Sequence, residues 1–470
     1  MKQKTKGSLQ KLLAVLLVFS LCLSFLPLGA LAAGNTAAND GLTVTDVTED
    51  LTDADRQQIF EDNMDSSVVS KSDVPAATDE VDVIVELDAE SLLDVRNQVD
   101  AAMSMLDFQQ TAAAKTQLAE IAALEQDVMD AIEAQNITVQ YEFNYTAIVS
   151  GFSAKVPYGR IGDIEAIDGV TRVVLCDTYY PDVVGSAMLG QALSGAEIAA
   201  YANHTDYQGA GILIGILDTG LDVAHEAFVN APAMQKLQKS TLEKLLYTTE
   251  EVDGKINVTA YSYAALWYAQ KNSTSTELKL LTADDLYKNG KVPFAFDYAD
   301  VDTDVTPSQT AVEKYGNDHG THVAGIAAGK TLDADGNVTF AGQSPEAQLA
   351  IFKVFSDTTN GASTQNILAA LNDALLLDVD VINMSLGSGG GFASEESGSV
   401  VDKYYDLVKS AGILLDCSAG NAFSSSQGGT YGDFASVSDP DTGIISSASS
   451  YDAALSVASV NANETASFTI

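Results

Sequence analysis

Gly215-Ile216-Leu217-Asp218-Thr219-Gly220 closes an apolar run that begins at Ile212. The run does not alternate, so it reads as a strand buried on both faces, the kind found in parallel sheets. It ends on a carboxylate and then a tight Thr-Gly turn. Asp218 therefore stands at the carboxyl end of a strand, where open α/β sheets place their sites. An aspartate there can hold an imidazole or cap a turn, and its own surroundings leave both readings open. Downstream, strands and helices alternate: helix at Thr321–Ala328, strand at Gln348–Phe355, helix at Gln365–Leu377, strand at Val379–Ser385. The alternation continues with a helix at Val400–Ala411 and strands at Ile413–Ser418 and Ala454–Val460. That order predicts an α/β fold with a doubly wound, mainly parallel sheet over 209–470. Residues 231–292 interrupt it, hold the only tryptophan, Trp267, and read as an insertion.

Upstream the pattern differs. Val81, Val83, Val85 and Leu87 alternate with polar residues as in a half-buried strand. Leu92, Val95, Val99, Met103 and Leu106 follow at helical spacing within a helical stretch over 89–135. Strands at Thr138–Tyr145 and Ala147–Val156, a short helix at Tyr158–Ile167 and a strand at Val170–Cys176 complete a β-α-β-β-α-β order. This split βαβ arrangement predicts a separate α+β, ferredoxin-like domain over 81–180. A polar connector at 181–208 joins the two domains, and a mobile lead-in at 33–80 precedes them.

The first 32 residues carry Lys2, Lys4, Lys6 and Lys11, then an apolar stretch from Leu12 to Leu28, then Ala30-Leu31-Ala32. That is the form of a cleaved export signal, so no membrane span is expected after its removal. The chain of 470 residues has a formal charge of −41, which speaks against nucleic acid and anionic lipid as partners. Only Cys176 and Cys417 follow the signal, each in an apolar strand-like run, so two buried free thiols are expected instead of a disulfide framework.

Two further segments lie near predicted strand ends. Asn317-Asp318-His319-Gly320-Thr321-His322-Val323-Ala324-Gly325 sets a histidine before a small-residue helix that can pack closely behind it. The His319/His322 pair lacks the H-E-x-x-H pattern and an obvious third ligand, which argues against zinc. Ser418-Ala419-Gly420-Asn421 follows the strand ending at Cys417, and Asn421 can offer its amide to a developing oxyanion or cap a turn.

Together, Asp218-Thr219-Gly220, His319 to Gly325, Asn383-Met384-Ser385-Leu386-Gly387 and Ala419-Gly420-Asn421 resemble the subtilase signatures in the family's order. The N-terminal domain, with Phe143 and Gly151-Phe152-Ser153-Ala154, resembles the inhibitor-type propeptide of that family. Pro293 to Asp300 and Ser344 to Leu349 look like the cell-envelope proteinases of Gram-positive bacteria, the lactocepin and C5a-peptidase type. The resemblance implies a secreted or cell-wall-associated serine endopeptidase made as a zymogen, with polypeptide substrates and its own propeptide as inhibitor and folding template. It implies His319 as general base, Asp218 as the group that orients it, Asn421 in the oxyanion hole, and Ser385, Leu386 and Gly387 along the substrate cleft. No cofactor is required for this chemistry. A structural calcium ion is compatible with it, and neither Asp300, Asp302 and Asp304 nor Asp333 to Asn337 is assigned to one; the latter reads as a hairpin turn. His322 and Asp222 read as supporting neighbours.

One signature is missing. No Gly-Thr-Ser-Met-Ala-type turn follows Asn421, so the nucleophilic serine is expected downstream of Ile470 and these 470 residues alone are expected to be inactive. Two alternatives stay open on sequence: a non-catalytic module that keeps the sheet to grip peptides, and a metallohydrolase built on His319, His322 and the acidic run.

Overall fold

Val83, Val85 and Leu87 point into a small apolar core, as their alternation predicts, yet Ile84 and Glu86 between them are buried as well. The second face of this strand is covered by another part of the chain, and that contact organises the molecule. The computed structural model describes residues 75–181, 208–252, 255–260, 264, 268, 271, 279–359, 361–387, 399–420 and 445–458. The export signal, most of the lead-in and of the connector, and Trp267 lie outside the described residues.

The N-terminal unit contains β1 (Glu80–Leu87), α1 (Leu92–Asp100), α2 (Met105–Phe108), α3 (Ala112–Ala134), β2 (Gln140–Tyr145), β3 (Gly151–Pro157), α4 (Ile161–Glu165) and β4 (Val170–Leu175). Its antiparallel sheet runs β2-β3-β1-β4, the split βαβ order. The helical stretch is three helices instead of one, because Ser91, Ser104 and Thr111 each turn the chain extended and accept a backbone N–H of the next helix. One further strand, β5 (Thr178–Pro181), follows the unit.

The larger unit opens with β6 (Leu213–Asp218). Next come α5 (Lys239–Leu246), the hairpin β7 (Tyr247–Val252) and β8 (Lys255–Ala260), α6 (Ala283–Leu286), β9 (Phe294–Asp297), α7 (Gln309–Tyr315) and α8 (His319–Ala328). The hairpin β10 (Lys330–Leu332) and β11 (Val338–Ala341), then β12 (Gln348–Lys353), β13 (Ala362–Ser363), α9 (Thr364–Leu376), β14 (Val381–Met384) and β15 (Leu386–Gly387) follow. The last elements are α10 (Ser399–Ser410), β16 (Leu414–Ser418) and β17 (Ala454–Val457). Six parallel strands run in the order β17-β16-β14-β6-β12-β9. Alternate residues face opposite layers. Ile214, Ile216, Leu349 and Ile351 pack with Ala324, Ala327 and Ala328 of α8. Leu213, Ile382, Met384 and Leu415 pack with α9 and α10. The sheet is therefore wound on both faces, as the sequence predicts.

Residues 231–292 supply no strand to this sheet among the described residues. The edge strand β9 comes just after them and escapes the sequence reading, being four residues long. Asp333 to Asn337 form the turn of the β10–β11 hairpin, in which Asp333 accepts from Asp335 and Asn337. Neither Cys176 nor Cys417 forms a disulfide among the described residues; Cys417 is buried, but Cys176 is only half-buried, one residue past β4.

The two units share one apolar core. Ile84, Leu93, Phe108, Phe143 and Tyr145 pack with Ile367, Leu371 and Leu375 of α9 and with Tyr404 of α10. Polar contacts fix the seam. Asn372 Oδ1 accepts from the Ala147 N–H at 2.8 Å, Tyr145 donates to the Gln365 carbonyl at 3.2 Å, and Gln109 Nε2 donates to the Leu376 carbonyl at 3.0 Å. Glu86, 3% exposed, accepts from Arg172 at 2.7 Å and Tyr404 at 2.8 Å and lies 3.2 Å from the Lys403 ammonium.

Candidate active site

β6 delivers Asp218 to the carboxyl edge of the sheet with 1% exposure. Its Oδ1 accepts the Thr219 N–H at 2.7 Å. The chain then turns through Gly220 at φ +115°, a conformation that favours glycine. The Thr219 hydroxyl donates to the Asn317 carbonyl at 2.7 Å and accepts the Gly320 N–H at 2.9 Å. The Asp222 N–H donates to Thr321 Oγ1 at 2.9 Å. These three bonds stitch the strand-end turn to the first turn of α8.

α8 begins at His319, two residues earlier than the sequence predicts, because Gly320 packs against the turn instead of breaking the helix. A Cβ on Gly320 would lie 2.4 Å from the Gly220 carbonyl oxygen. This close approach sets His319 Nδ1 2.8 Å from Asp218 Oδ1. An ionised carboxylate only accepts, so Nδ1 carries the proton and the lone pair that can take another is on Nε2. The imidazole side chain is 15% exposed. The pair can orient a base and stabilise it once protonated. Asp218 Oδ2 is buried with no hydrogen-bond partner among the described residues.

Ser385 follows β14, whose Met384 is in register with Leu217, so it flanks Asp218. Its hydroxyl donates to Asn383 Oδ1 at 3.2 Å. Beyond it, β15 forms a small sheet in the order β13-β5-β15. Leu386 pairs with Pro181, Gly387 with Tyr180, Ala362 with Tyr179 and Ser363 with Thr178, all antiparallel. A segment of the chain itself, β5, is thus held between β13 and β15.

A family model, described as Subtilase family (peptidase S8), matches residues 209–469, more than half of the chain. The chain belongs to the subtilase family. This subtilase is 30% identical over 289 residues to the PI-type proteinase of Lactococcus lactis subsp. cremoris, covering 61% of this chain and 13% of that protein. It is 29% identical over 255 residues to the C5a peptidase of Streptococcus pyogenes serotype M18, covering 54% of this chain and 18% of that protein. The chain therefore spans less than a fifth of these curated relatives. Among solved structures, fervidolysin from Fervidobacterium pennivorans aligns over 73% of this chain and 40% of its own, with 16% identity and a TM-score of 0.38.

Of the residues singled out in the subtilase sequence, Asp218 and His319 meet directly, Ser385 follows the strand next to Asp218, and Leu386 and Gly387 lie beyond it in β15, paired with β5. Asn421 lies outside the described residues. Ala419 and Gly420 just before it are held at the end of β16: Ala419 N–H donates to the Val457 carbonyl at 2.8 Å, and Ser446 N–H donates to the Ala419 carbonyl at 2.9 Å. His322 lies on the next turn of α8, and burial, then the neighbouring His319, lowers its pKa and favours the neutral ring. Asp222 Oδ1 accepts the Ala224 N–H at 3.0 Å, a turn-holding role. Asp300, Asp302 and Asp304 spend their oxygens on nearby groups: Ser356 and Asp357, Asp304 N–H, and Thr306 N–H respectively. Among the described residues no group of three or more His, Cys, Asp or Glu side chains is gathered as a metal ion would need. Sequence reasoning missed Thr219, whose hydroxyl joins the two halves of the site. A polar residue between a strand-end Asp and Gly, 0% exposed in the fold, was the available signal.

Proposed function

We propose that this chain is the front part of a secreted subtilisin-like serine endopeptidase, made as a zymogen, in which Asp218 and His319 are two members of the catalytic triad. The observation that carries this is the 2.8 Å contact of His319 Nδ1 with Asp218 at the carboxyl edge of the parallel sheet. His319 takes the serine proton at Nε2 and returns it to the leaving amine. Asp218 holds the tautomer and stabilises the imidazolium. In this reading the nucleophilic serine is supplied by sequence beyond Ile470, for which the greater length of the relatives leaves room, and Asn421 donates to the oxyanion. Ser385 to Gly387 pair with an extended substrate as an added strand.

The zymogen reading draws on β5. A peptide between β13 and β15 fills the cleft, and here the occupant is the stretch that leads out of the N-terminal unit. Residues 81–180 are then an inhibitory propeptide, held in place by the shared core and the seam around Glu86. The export signal at 1–32 directs the protein out of the cell. Among the described residues no helix is long and apolar enough to cross a membrane.

In the full-length protein, His319→Ala is expected to abolish peptidase activity and labelling by a fluorophosphonate, with folding retained. Activity close to that of the parent in this variant overturns the assignment.

A further inference from the structure

Lys353 ends β12, in register with Asp218 on one side and Asp297 on the other. Residues paired in a parallel register stand on one face of the sheet. The row across the carboxyl edge therefore reads Asp297, Lys353, Asp218. The Lys353 side chain has 0% exposure. A lysine is almost never so buried unless it is paired, and the triad chemistry has no use for it.

The Lys353 ammonium does not go to Asp218. It lies 2.6 Å from Asp297 Oδ2, donates to the Phe355 carbonyl at 2.6 Å, and has Asp357 Oδ1 at 3.2 Å and Asp300 Oδ2 at 3.6 Å. Burial alone would lower its pKa, but the attraction of Asp297, with Asp357 and Asp300, outweighs burial and keeps it charged. Its stem lies beneath the Asp218 turn: a Cβ on Gly220 would come within 2.9 Å of Lys353 Cδ.

The same cluster reaches the histidine from the other side. Asp300 accepts from Ser356 Oγ at 2.6 Å and from the Asp357 N–H at 2.8 Å, which fixes the loop after β12. The Ser356 carbonyl accepts from Asn317 Nδ2 at 3.1 Å. The Asn317 carbonyl accepts from Thr219 at 2.7 Å, and His319 is two residues on. A closed circuit thus runs from Lys353 through the 356–357 loop, Asn317 and Thr219 back to the Asp218 turn.

We infer that Lys353 is a positioning residue for the Asp218–His319 pair, supporting the Asp218 turn from below and clamping the approach to α8 through the loop after β12. The inference rests on the proposed catalytic reading of that pair and deepens it. Without the ammonium, Asp297, whose carboxyl burial already pushes up to about 7, takes a proton, Asp300 and Asp357 repel one another, the 356–357 loop shifts, and Asn317 carries His319 away from Asp218.

The test compares the full-length protein with a Lys353→Met/Asp297→Asn variant. Lys353→Met alone strands the buried Asp297 carboxylate and endangers folding; the double variant removes the fully buried pair together and leaves only the partly exposed Asp300 and Asp357 without their cation. The readout is the downfield proton resonance of histidine Nδ1 bonded to carboxylate, recorded by nuclear magnetic resonance on protein labelled in histidine. It requires no nucleophile. In the parent this resonance is expected to be present and to vanish in Asp218→Asn. Its absence from the parent overturns the catalytic reading and, with it, the positioning role. In the double variant, with a cooperative thermal transition retained, the resonance is expected to be lost through exchange with water. A resonance unchanged in the folded double variant overturns the positioning role alone. The milder Asp357→Asn, at a side chain 26% exposed, removes one arm of the cluster and is expected to weaken the same resonance; no change there also counts against the inference.

Discussion

Gly320 occupies the first turn of a helix, where alanine is ordinarily the better residue by about 1 kcal/mol. Here the helix preference loses. An added methyl would sit 2.4 Å from the Gly220 carbonyl oxygen and 3.0 Å from its nitrogen, and backbone cannot move aside as a flexible side chain would. Overpacking of this kind costs about 1–3 kcal/mol, so relief comes only by parting α8 from the turn that carries Asp218. Gly320→Ala is therefore expected to lower the thermal midpoint and to separate His319 from Asp218. Calorimetry and the histidine Nδ1 resonance read the two effects; a variant as stable as the parent with the resonance intact would contradict the argument. Much of the site was legible at this scale. Asp218 and His319 stand out because each is a polar group set against small or apolar neighbours. Lys353 was equally conspicuous, a charge at the end of a buried apolar run, and was passed over as part of the strand Gln348–Phe355. A lysine read as belonging to a doubly covered strand has to find a counter-charge, and that requirement was itself the signal.

At the scale of elements, the seam between the two units is held by the apolar core and sharpened by Glu86. Burial alone would raise this carboxyl, but the hydrogen bond from Arg172, the charge of Lys403 and the hydrogen bond from Tyr404 outweigh it and hold the pKa below the usual value. A carboxylate with a lowered folded-state pKa adds stability above its ordinary value of 4.5, and that contribution is lost as pH falls through the lowered value. The folded state is therefore expected to weaken in acid. Glu86→Gln is expected to weaken it already at neutral pH, by about 2 kcal/mol, the scale of a hydrogen bond to a charged group, and to flatten the acid dependence. The thermal midpoint of both forms, measured across pH, checks this. Equal midpoints at every pH would remove Glu86 from the account. The long elements of this seam were readable from periodicity. The pairing of β5 with β13 and β15 was not, because strands of four, two and two residues carry no pattern and exist only through their neighbours. Burial on both faces of β1 was hidden for a related reason: Glu86 and its polar neighbours made one face look solvated, whereas the larger unit covers it.

At the scale of the whole molecule, the charge of −41 is the dominant long-range term. Self-repulsion on this scale destabilises the compact state and is screened by salt over about 10 Å at 0.1 M. The thermal midpoint is expected to rise with added sodium or potassium chloride alike. A rise that appears only with calcium, at concentrations too low to screen, would instead point to a specific ion site. The parallel sheet was legible at this scale because five of its six strands are apolar runs spaced by helices. The insertion at 231–292 was legible only as an interruption, since nothing in its composition says where it folds.

The meeting of Gly220 and Gly320 has a consequence for how such a chain can change over generations. The joint is backbone against backbone, and the Thr219 hydroxyl and Asn317 that secure it stand at the two ends of the 101-residue interval between Asp218 and His319. For a flexible loop, each doubling of that interval costs only about 0.6 kcal/mol in closure entropy. New sequence can therefore accumulate in the loops between the two boxes at little cost, provided both glycines, Thr219, Asn317 and the Asp297–Asp300 stretch stay. Lineages of this architecture are free to vary those loops while the Asp218–His319 contact stands still.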